Sequence, residues 1–426
     1  MITADAFAGR RFAVLGLARS GLSVVASLAA SGAHVVAWDD KEAARAAVTT
    51  AGVEFADLNS ASLHGFDAII VSPGVPLNTH PLARRAADAG VPVIGDIELF
   101  ALARSELPPH RVVGITGTNG KSTTTALIHH LLVTAGVPAR LGGNIGLPIL
   151  GQEPLQAGGV YVLELSSFQI DLTRSLDCDV AVVLNITPDH LDRYDGFDGY
   201  AASKARLLDM QSKGRTAIIS LESQTSRTLA AGHPEAIGIS ACDINDQSAW
   251  PTLQGPHNAE NVAAACAAAL HLGASPAAIA DGLRTYPGLP HRMERISTKR
   301  GVLYVNDSKA TNPTSAAPAL AAYPKIHWIC GGLNKTDELD ACLPHLSHVK
   351  AAYTIGKASE LFANILTPHV RVEQIQTVAK ATQLAASRAL PGEVILLSPA
   401  CASYDQFKDF EARGDAFREA VGGLPE

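Results

Sequence analysis

VVGITGTNGKSTTT, from Val112 to Thr125, passes from an apolar run through a glycine-rich turn into a polar segment that suits a helix start. The apolar run ends at Thr116, and Lys121-Ser122-Thr123 follows the last glycine of Gly117-Thr118-Asn119-Gly120. Strand, glycine loop and helix N-terminus together make an anion site. Small residues let backbone N–H groups approach oxygens, and the helix dipole favours negative charge there. Lys121 adds a point cation, and Ser122 supplies a hydroxyl of the kind that sits on Mg²⁺ in phosphate loops. The match to G-x-x-x-x-G-K-[ST] is imperfect, because Ile115 stands where the first glycine belongs and Gly114 and Gly117 flank it. A plain glycine turn is the bland alternative. Gly-Lys-Ser at a strand-to-helix switch is more specific, and predicts a site for ATP or GTP phosphates.

The whole chain bounds what surrounds that site. At 426 residues it is too long for one ordinary core, and about three domains are expected. Apolar residues make up 47% and charged residues 18%, which predicts a packed globular protein. The formal net charge is −7 and no basic tract occurs, which argues against nucleic acid or an anionic membrane as partner. Cys178, Cys242, Cys266, Cys330, Cys342 and Cys401 are scattered without a C-x-x-C, against a zinc or disulfide framework and in keeping with a reducing cytosol. Met-Ile-Thr-Ala-Asp leads almost directly into a strand, so no signal peptide is expected. No apolar run reaches the roughly 20 residues that span a bilayer. The expectation is a soluble, cytoplasmic protein.

Upstream, Phe12 to Leu15 reads as a buried strand, Gly16-Leu17-Ala18-Arg19-Ser20-Gly21 as a turn, and Leu22 to Ala30 as an amphipathic helix. His34 to Trp38 is a second strand, closed by Asp39-Asp40. This is a βαβ nucleotide-binding pattern with acids about 20 residues past the turn. Ala18 replaces the middle glycine that lets a backbone approach a pyrophosphate, which weakens a standard NAD grip; an empty packing unit is the alternative. Ala68 to Val71 is another strand, and the Ser72-Pro73-Gly74-Val75-Pro76 loop behind it is either a plain turn or part of the same crevice. Leu107-Pro108-Pro109-His110 breaks the chain before the phosphate-loop strand and marks a domain boundary.

Downstream, Gly142-Gly143-Asn144-Ile145-Gly146 reads as a glycine-rich loop with one amide side chain. Tyr161 to Ser167 reads as a buried strand carrying Glu164, and an acid there is costly unless it is paired or bound to metal. Ligation of Mg²⁺ is the favoured reading and a structural ion pair the alternative. Val180 to Leu184 leads to Asn185-Ile186-Thr187-Pro188-Asp189-His190-Leu191-Asp192, where polar groups at a strand's carboxyl end suggest a site, although a lone histidine is more often structural. Lys204, within a helical stretch from Tyr200 to Met210, reads as a solvated lysine. His257 to Asn261 precedes the alanine-rich run Val262–Leu270, either with amides posed for a base edge or with Asn258 simply capping. Tyr286-Pro287-Gly288-Leu289-Pro290 makes the second boundary. Beyond it, Val302–Val305, Ile326–Cys330 and Val394–Leu397 read as strands, each followed by a polar loop that points to one crevice.

The runs Gly117–Thr123, Glu164–Gln169, Asp189–Arg193, His257–Asn261, His291-Arg292, Asn306–Asn312 and Ser398–Ser403, in that order, resemble the Mur ligases of peptidoglycan synthesis, most closely the D-glutamate-adding branch. The resemblance covers essentially the whole chain. It implies an α/β fold of three domains: an N-terminal Rossmann-like UDP-sugar-binding domain (1–107), a central P-loop-type ATPase domain with a parallel sheet (108–289), and a C-terminal Rossmann-like glutamate-binding domain (290–426). By the same resemblance Gly117 to Thr123 hold the ATP phosphates, with Ser122 and Glu164 on one Mg²⁺. His190 and a carbamylated Lys204 hold a second Mg²⁺. Asn258, Asn261, Arg292 and Asp307 address adenosine. Gly16, Leu17, Ala18, Arg19, Asp39, Asp40, Gly74 and Asn144 address the UDP-sugar. Lys309, Thr311, Lys335, Ser403 and Phe410 grip glutamate. One departure is the pair of acids, Asp337-Glu338, close behind Lys335.

The implied reaction is ATP-dependent amide formation: ATP phosphorylates the carboxylate of UDP-N-acetylmuramoyl-L-alanine, and the glutamate amine attacks the acyl phosphate. Such chemistry asks a protein mainly for positioning and charge neutralisation, so lysine, metal and backbone amides suffice without a nucleophile. A monomer acting on small molecules is expected. A folate-polyglutamylating ligase gives no reason for the first βαβ unit. Other Mur ligases usually carry Thr at the place of Ser122, and the Asp-Asn-Pro-Arg loop of the diaminopimelate-adding member is absent from the sequence. An L-glutamate-adding relative stays open as the alternative. A nicotinamide oxidoreductase leaves the phosphate loop unexplained, and a non-enzymatic ATP switch leaves the acids and histidine behind several strands unexplained.

Overall fold

Apolar runs without an alternating polar face form strands covered on both sides, as parallel sheets with helical crossovers require. The structure, a computed structural model, describes residues 1–334 and 336–426. These form two units, 1–243 with 260–283 and 244–259 with 284–426. Among the described residues no helix is long and apolar enough to cross a membrane.

The first unit holds two parallel sheets. In chain order the first sheet has β1 (Arg11–Leu15), β2 (His34–Trp38), β3 (Glu54–Phe55), β4 (Ala68–Val71) and β5 (Val93–Ile94), arranged β3-β2-β1-β4-β5. The second has β6 (His110–Thr116), β7 (Ala139–Gly143), β8 (Gly159–Glu164), β9 (Val180–Val183), β10 (Thr216–Ser220) and β11 (Ile237–Ile239), arranged β11-β10-β9-β6-β8-β7. Strand order reverses beside β1 and beside β6, so the loops behind β1, β4, β6, β8 and β9 lie where open α/β sheets bind ligands.

Hydrophobic spacing marks a helix from Leu22, but the helix runs Arg19–Ala30, burying Val24, Val25 and Leu28. Periodicity reports only the buried face, and the first turn has little of it. A Cβ on Gly21 would lie 1.9 Å from the Gly16 carbonyl oxygen, so the third fingerprint glycine is needed for close packing of helix on turn. Ala18, at the middle position, has an ordinary extended backbone with φ −72° that any residue adopts. Gly142 and Gly143, expected in a loop, instead end the edge strand β7 opposite Leu163 and Glu164.

The helix Asp96–Ala103 joins the two sheets of this unit. Its Ile97, Phe100 and Ala103 enter one core with Ile149, Tyr161 and Leu163, and the Phe100 ring meets Tyr161 edge-on at 5.0 Å. Glu98, buried, accepts hydrogen bonds from Arg174 N (2.6 Å), Ser175 N (3.0 Å) and Ser175 Oγ (2.8 Å).

The second unit has one sheet: β12 (Glu294–Lys299), β13 (Val302–Asn306), β14 (Ile326–Gly331), β15 (Val349–Ile355), β16 (Arg371–Gln374) and β17 (Val394–Leu397), arranged β12-β13-β17-β14-β15-β16. Among the described strands of this sheet, only the pair β12–β13 runs antiparallel. Adjacent residues point to opposite faces: Val305 and Trp328 enter one core, Tyr304 and Ile329 the other. The helix that follows the second unit's residues 244–255 runs Pro256–His271, so Asn258 lies inside its first turn and does not cap it. The Asn258 amide donates instead to the Gln254 carbonyl at 3.0 Å.

Candidate active site

β6 ends at Thr116 and the helix Lys121–Thr134 begins behind the expected glycine loop. Gly120 sits before its first residue with φ 85°, and a Cβ there would lie 2.2 Å from Asn261 Oδ1. The same Asn261 oxygen accepts from Thr124 Oγ1 at 3.1 Å. Thr118 N donates to Asn185 O (2.7 Å) and Asn119 N to Asn185 Oδ1 (3.1 Å). Asn185 is in turn held by Glu260, whose carboxylate accepts from its backbone and side-chain nitrogens at 3.0–3.2 Å. Burial raises the Glu260 carboxyl against the opposing pull of hydrogen bonds from Ser220 and Asn185. The loop is therefore shaped by tertiary contacts before any ligand arrives.

Two lysines meet on this loop. Lys121 Nζ donates to the carbonyls of Gly117 (2.9 Å) and Thr118 (2.8 Å), and Lys204 Nζ donates to Gly117 O at 2.8 Å. Lys204 lies in the helix Gly196–Asp209 and is 1% exposed, which overturns the solvated reading its helical setting suggested. Its ammonium stands 4.6 Å from the centre of the Tyr200 ring, and the Tyr200 hydroxyl is 3.2 Å from Thr118 Oγ1. Burial first, and then the Lys121 charge, hold the Lys204 amine well below its usual range, with Asp189, Asp171 and Glu164 opposing. Burial of an ammonium disfavours its charged form.

Glu164 is the last residue of β8 and is 2% exposed. Its Oε1 accepts from the Asn144 amide at 3.1 Å, and its buried Oε2 has no hydrogen-bond partner. A half-satisfied buried carboxylate is costly and fits a cation ligand better than a packing residue. Ser122, also buried, opens the helix that starts the phosphate site, and Thr123 follows it in the first turn. His190 is exposed, has φ 50°, and meets Phe168 edge-on at 5.2 Å; its Nε2 is 3.6 Å from Asp189 Oδ2. Among the described residues no group of three or more His, Cys, Asp or Glu could hold a metal ion. A divalent ion here needs hydroxyl and substrate oxygens besides these side chains.

At the first sheet's switch point, Asp39 ties the turn together: Oδ2 accepts from Leu17 N (2.8 Å) and Oδ1 from Lys41 N (2.9 Å). Asp40 Oδ1 accepts from Trp38 Nε1 and Asn59 Nδ2. Gly16, Ala18 and Arg19 line the turn into the first helix, and Gly74 is exposed on the loop behind β4. Asn144, expected at the sugar, has its amide on Glu164.

In the second unit, Asp307 follows β13 and accepts from Ser398 Oγ (2.8 Å) and Met293 N (3.2 Å). Burial pushes its carboxyl up to about 7 against those hydrogen bonds and the Arg292 and Arg413 charges. The Lys309 ammonium stands 3.8 Å from the centre of the Phe410 ring, so these two expected glutamate residues are together. Thr311 is half-buried on the same loop and Ser403 buried behind β17; Lys335 lies outside the described residues. Arg413, unremarked in sequence, organises this end: Nε donates to Ser308 Oγ, Nη2 to Ser308 O and Nη1 to Ala402 O. It is 1% exposed, and burial brings its guanidinium down to about 10. An arginine in a helix looks solvated in sequence, so nothing local could have singled it out. Asn185 and Glu260 did stand inside the quoted polar runs, which was their only signal.

Three family models match in order: the Mur ligase MurD-like N-terminal domain at residues 10–95, the Mur ligase middle domain at 115–252 and the Mur ligase glutamate ligase domain at 291–401. The chain is 58% identical over 434 residues to the UDP-N-acetylmuramoylalanine--D-glutamate ligase of Novosphingobium aromaticivorans, covering 100% of this chain and 97% of that protein. The chain belongs to the Mur ligase family. A second Mur ligase, the protein of the same name from Sphingopyxis alaskensis, is 59% identical over 432 residues with 100% of both chains covered. The solved Mur ligase fold of the MurF ligase from Thermotoga maritima in complex with ADP gives a TM-score of 0.61 at 15% identity, over 98% of this chain and 96% of that one. At that identity the likeness speaks to the Mur ligase fold alone.

Proposed function

We propose that this Mur ligase joins D-glutamate to UDP-N-acetylmuramoyl-L-alanine, converting ATP to ADP and phosphate. The observation that carries the reading is the pair of lysines on the Gly117 carbonyl, beside a buried glutamate with one unpartnered oxygen. Relatives at 58% and 59% identity bear the corresponding name. A carboxylate oxygen of the nucleotide substrate attacks the γ-phosphorus as the bond to ADP breaks. The glutamate amine then attacks the acyl carbon, loses a proton, and phosphate leaves.

Lys121 and the N–H groups of residues 117 and 120–123 neutralise and orient the phosphates, with Thr118 and Asn119 shaping the loop through Asn185, the part of phosphoryl transfer a protein must supply. Ser122 Oγ and Glu164 Oε2 are the groups offered to Mg²⁺, which when bound would neutralise further phosphate charge. Lys204, whose amine burial and the Lys121 charge shift toward the uncharged form, is the nucleophile for carbon dioxide: the nitrogen lone pair forms an Nζ–C bond as one C=O pair moves to oxygen, a proton leaves the nitrogen, and the new carboxylate relieves the repulsion from Lys121. With His190 it is assigned to a second Mg²⁺. Residues Gly16, Leu17, Ala18, Arg19, Asp39, Asp40, Gly74 and Asn144 are assigned to the UDP-sugar, and Asn261 to ATP. In the second unit Asn258, Arg292 and Asp307 are assigned to adenosine, and Lys309, Thr311, Ser403 and Phe410 to glutamate. The three domains are divided at 107/108 and 289/290, and the enzyme acts as a cytoplasmic monomer.

The test is phosphate release from ATP with UDP-N-acetylmuramoyl-L-alanine and each glutamate enantiomer. D-glutamate should support release and L-glutamate should not. Equal use of L-glutamate, or release that ignores the nucleotide substrate, overturns the reading.

A further inference from the structure

A cleft of about 640 Å³ lies between the loop behind β4 and the helix Gly196–Asp209, lined by Val75, Asn78, Phe168, Arg193 and Tyr194 among others. Two hydrogen bonds cross it. The Asn78 amide donates to the Asp192 carbonyl at 3.0 Å, and Arg193 Nη2 donates to the Val75 carbonyl at 3.0 Å. The guanidinium of Arg193 also lies 4.2 Å from the centre of the Phe168 ring. Phe168 carries Tyr194 stacked at 6.0 Å and 10°, and meets the His190 ring edge-on at 5.2 Å. Arg193 N donates to His190 O at 2.9 Å, closing the turn in which His190 takes its φ of 50°. A non-glycine residue in that region persists only where its surroundings hold it.

We infer that Arg193 is a positioning residue that fixes His190 against the 72–78 loop, and so couples the nucleotide-substrate end of the first unit to the phosphate-transfer end. The inference rests on the proposed function for the roles of those two ends. A planar guanidinium is suited to the task. It donates in its plane to Val75 while its face covers the Phe168 ring, and Phe168 in turn sets the His190 edge. The backbone of the phosphate loop is held by Asn185 and its glycine turn by Asn261, both outside the Arg193 cluster; Tyr200, which meets Tyr194 at 5.5 Å and His190 at 6.5 Å, reaches the loop at the Thr118 hydroxyl. Loss of Arg193 should therefore leave ATP binding alone while loosening the nucleotide substrate and slowing turnover.

The experiment compares wild type, Arg193→Ala, Arg193→Lys and Asn78→Ala by steady-state kinetics and by calorimetric titration with UDP-N-acetylmuramoyl-L-alanine and with ATP. Arg193→Ala should lower kcat by about tenfold to a hundredfold, the cost of misplacing a reacting geometry by an ångström or less. Its Kd and KM for the nucleotide substrate should rise about tenfold while those for ATP stay within about twofold. Arg193→Lys, which keeps the cation over Phe168 but not the fork, should recover part of kcat, and Asn78→Ala should reproduce the nucleotide-substrate effect in weaker form. Methylguanidinium added to Arg193→Ala should restore turnover, and ammonium should not. An unchanged nucleotide-substrate Kd in Arg193→Lys, or ATP and nucleotide-substrate constants rising together, overturns the coupling. If wild type itself forms no amide, the functional reading fails, and the two calorimetric titrations still decide the fate of Arg193.

Discussion

Lys204 shows at the scale of one residue how setting decides chemistry. A protonated amine does not react with carbon dioxide, and burial together with the neighbouring Lys121 charge shifts the Lys204 amine toward the uncharged form that does. Lys204→Ala is expected to lose ligation by about 10²–10³-fold, the scale of one preorganised electrostatic group. Short carboxylic acids should restore part of the activity, and wild type stripped of dissolved carbon dioxide should slow. Turnover of Lys204→Ala within about twofold of wild type would remove the lysine from the mechanism. Asp307 has a consequence for stability with a definite sign. Its folded carboxyl keeps its proton up to about 7, against an unfolded value near 4. The native state thus binds the proton more tightly, so the stability from this group is complete below about pH 4, declines as pH rises toward about 7, and is flat beyond. Asp307→Asn, which mimics the protonated form, should raise the melting temperature of the ligand-free protein at about pH 8 and by much less at about pH 5. An equal shift at both values would show that the carboxyl is ionised throughout.

Among the elements, the strand–loop–helix from β6 to Thr134 is the one whose parts were most legible. Its apolar run, glycines and Gly-Lys-Ser were all local signals. What remained hidden was that the loop is templated from outside, by Asn185, Glu260 and Asn261. Gly120 exposes the dependence. With φ 85° and only 2.2 Å between a new Cβ and Asn261 Oδ1, Gly120→Ala must strain the backbone and displace the amide. The backbone strain alone is about 1–3 kcal/mol. The expected result is an ATP KM raised about tenfold or more with the UDP-sugar KM little changed. A smaller companion, Asn261→Ala in the Gly120→Ala background, should recover part of the melting temperature lost in Gly120→Ala by removing the clashing oxygen. No relief would place the strain in φ and not in the contact.

Across the first unit, the helix Asp96–Ala103 makes one core out of two sheets, and Glu98 is its polar fastening. Glu98→Ala would remove the acceptor of the Arg174 and Ser175 backbone N–H groups and of the Ser175 hydroxyl, a loss of about 1.5–3 kcal/mol on the scale of hydrogen bonds to a carboxylate. Urea unfolding should show the drop in midpoint, and Glu98→Gln, which keeps one acceptor oxygen, should lose about half as much. A midpoint unmoved in Glu98→Ala would mean that apolar contacts alone join the sheets. The βαβ patterns on either side of Pro108-Pro109 were each readable, yet their shared core was not, since a periodicity reports that a face is buried and never against what.

Sequence by itself determined β1, β2, β4, β6, β8, β9, β13, β14 and β17, the phosphate loop, and the polar runs behind β9 and β13, because each rests on local periodicity or on residue types adjacent in the chain. It also carried the order of motifs that marks the family. The burial of Lys204 was decided only by tertiary structure: a lysine on a helix looks the same in sequence whether its face meets water or the underside of a phosphate loop. The same holds for Arg413 and for the unpartnered oxygen of Glu164. Each depends on which distant carbonyl, ring or amide the folded chain brings within about 3 Å, and desolvation, the term that sets their chemistry, does not exist until the chain has folded.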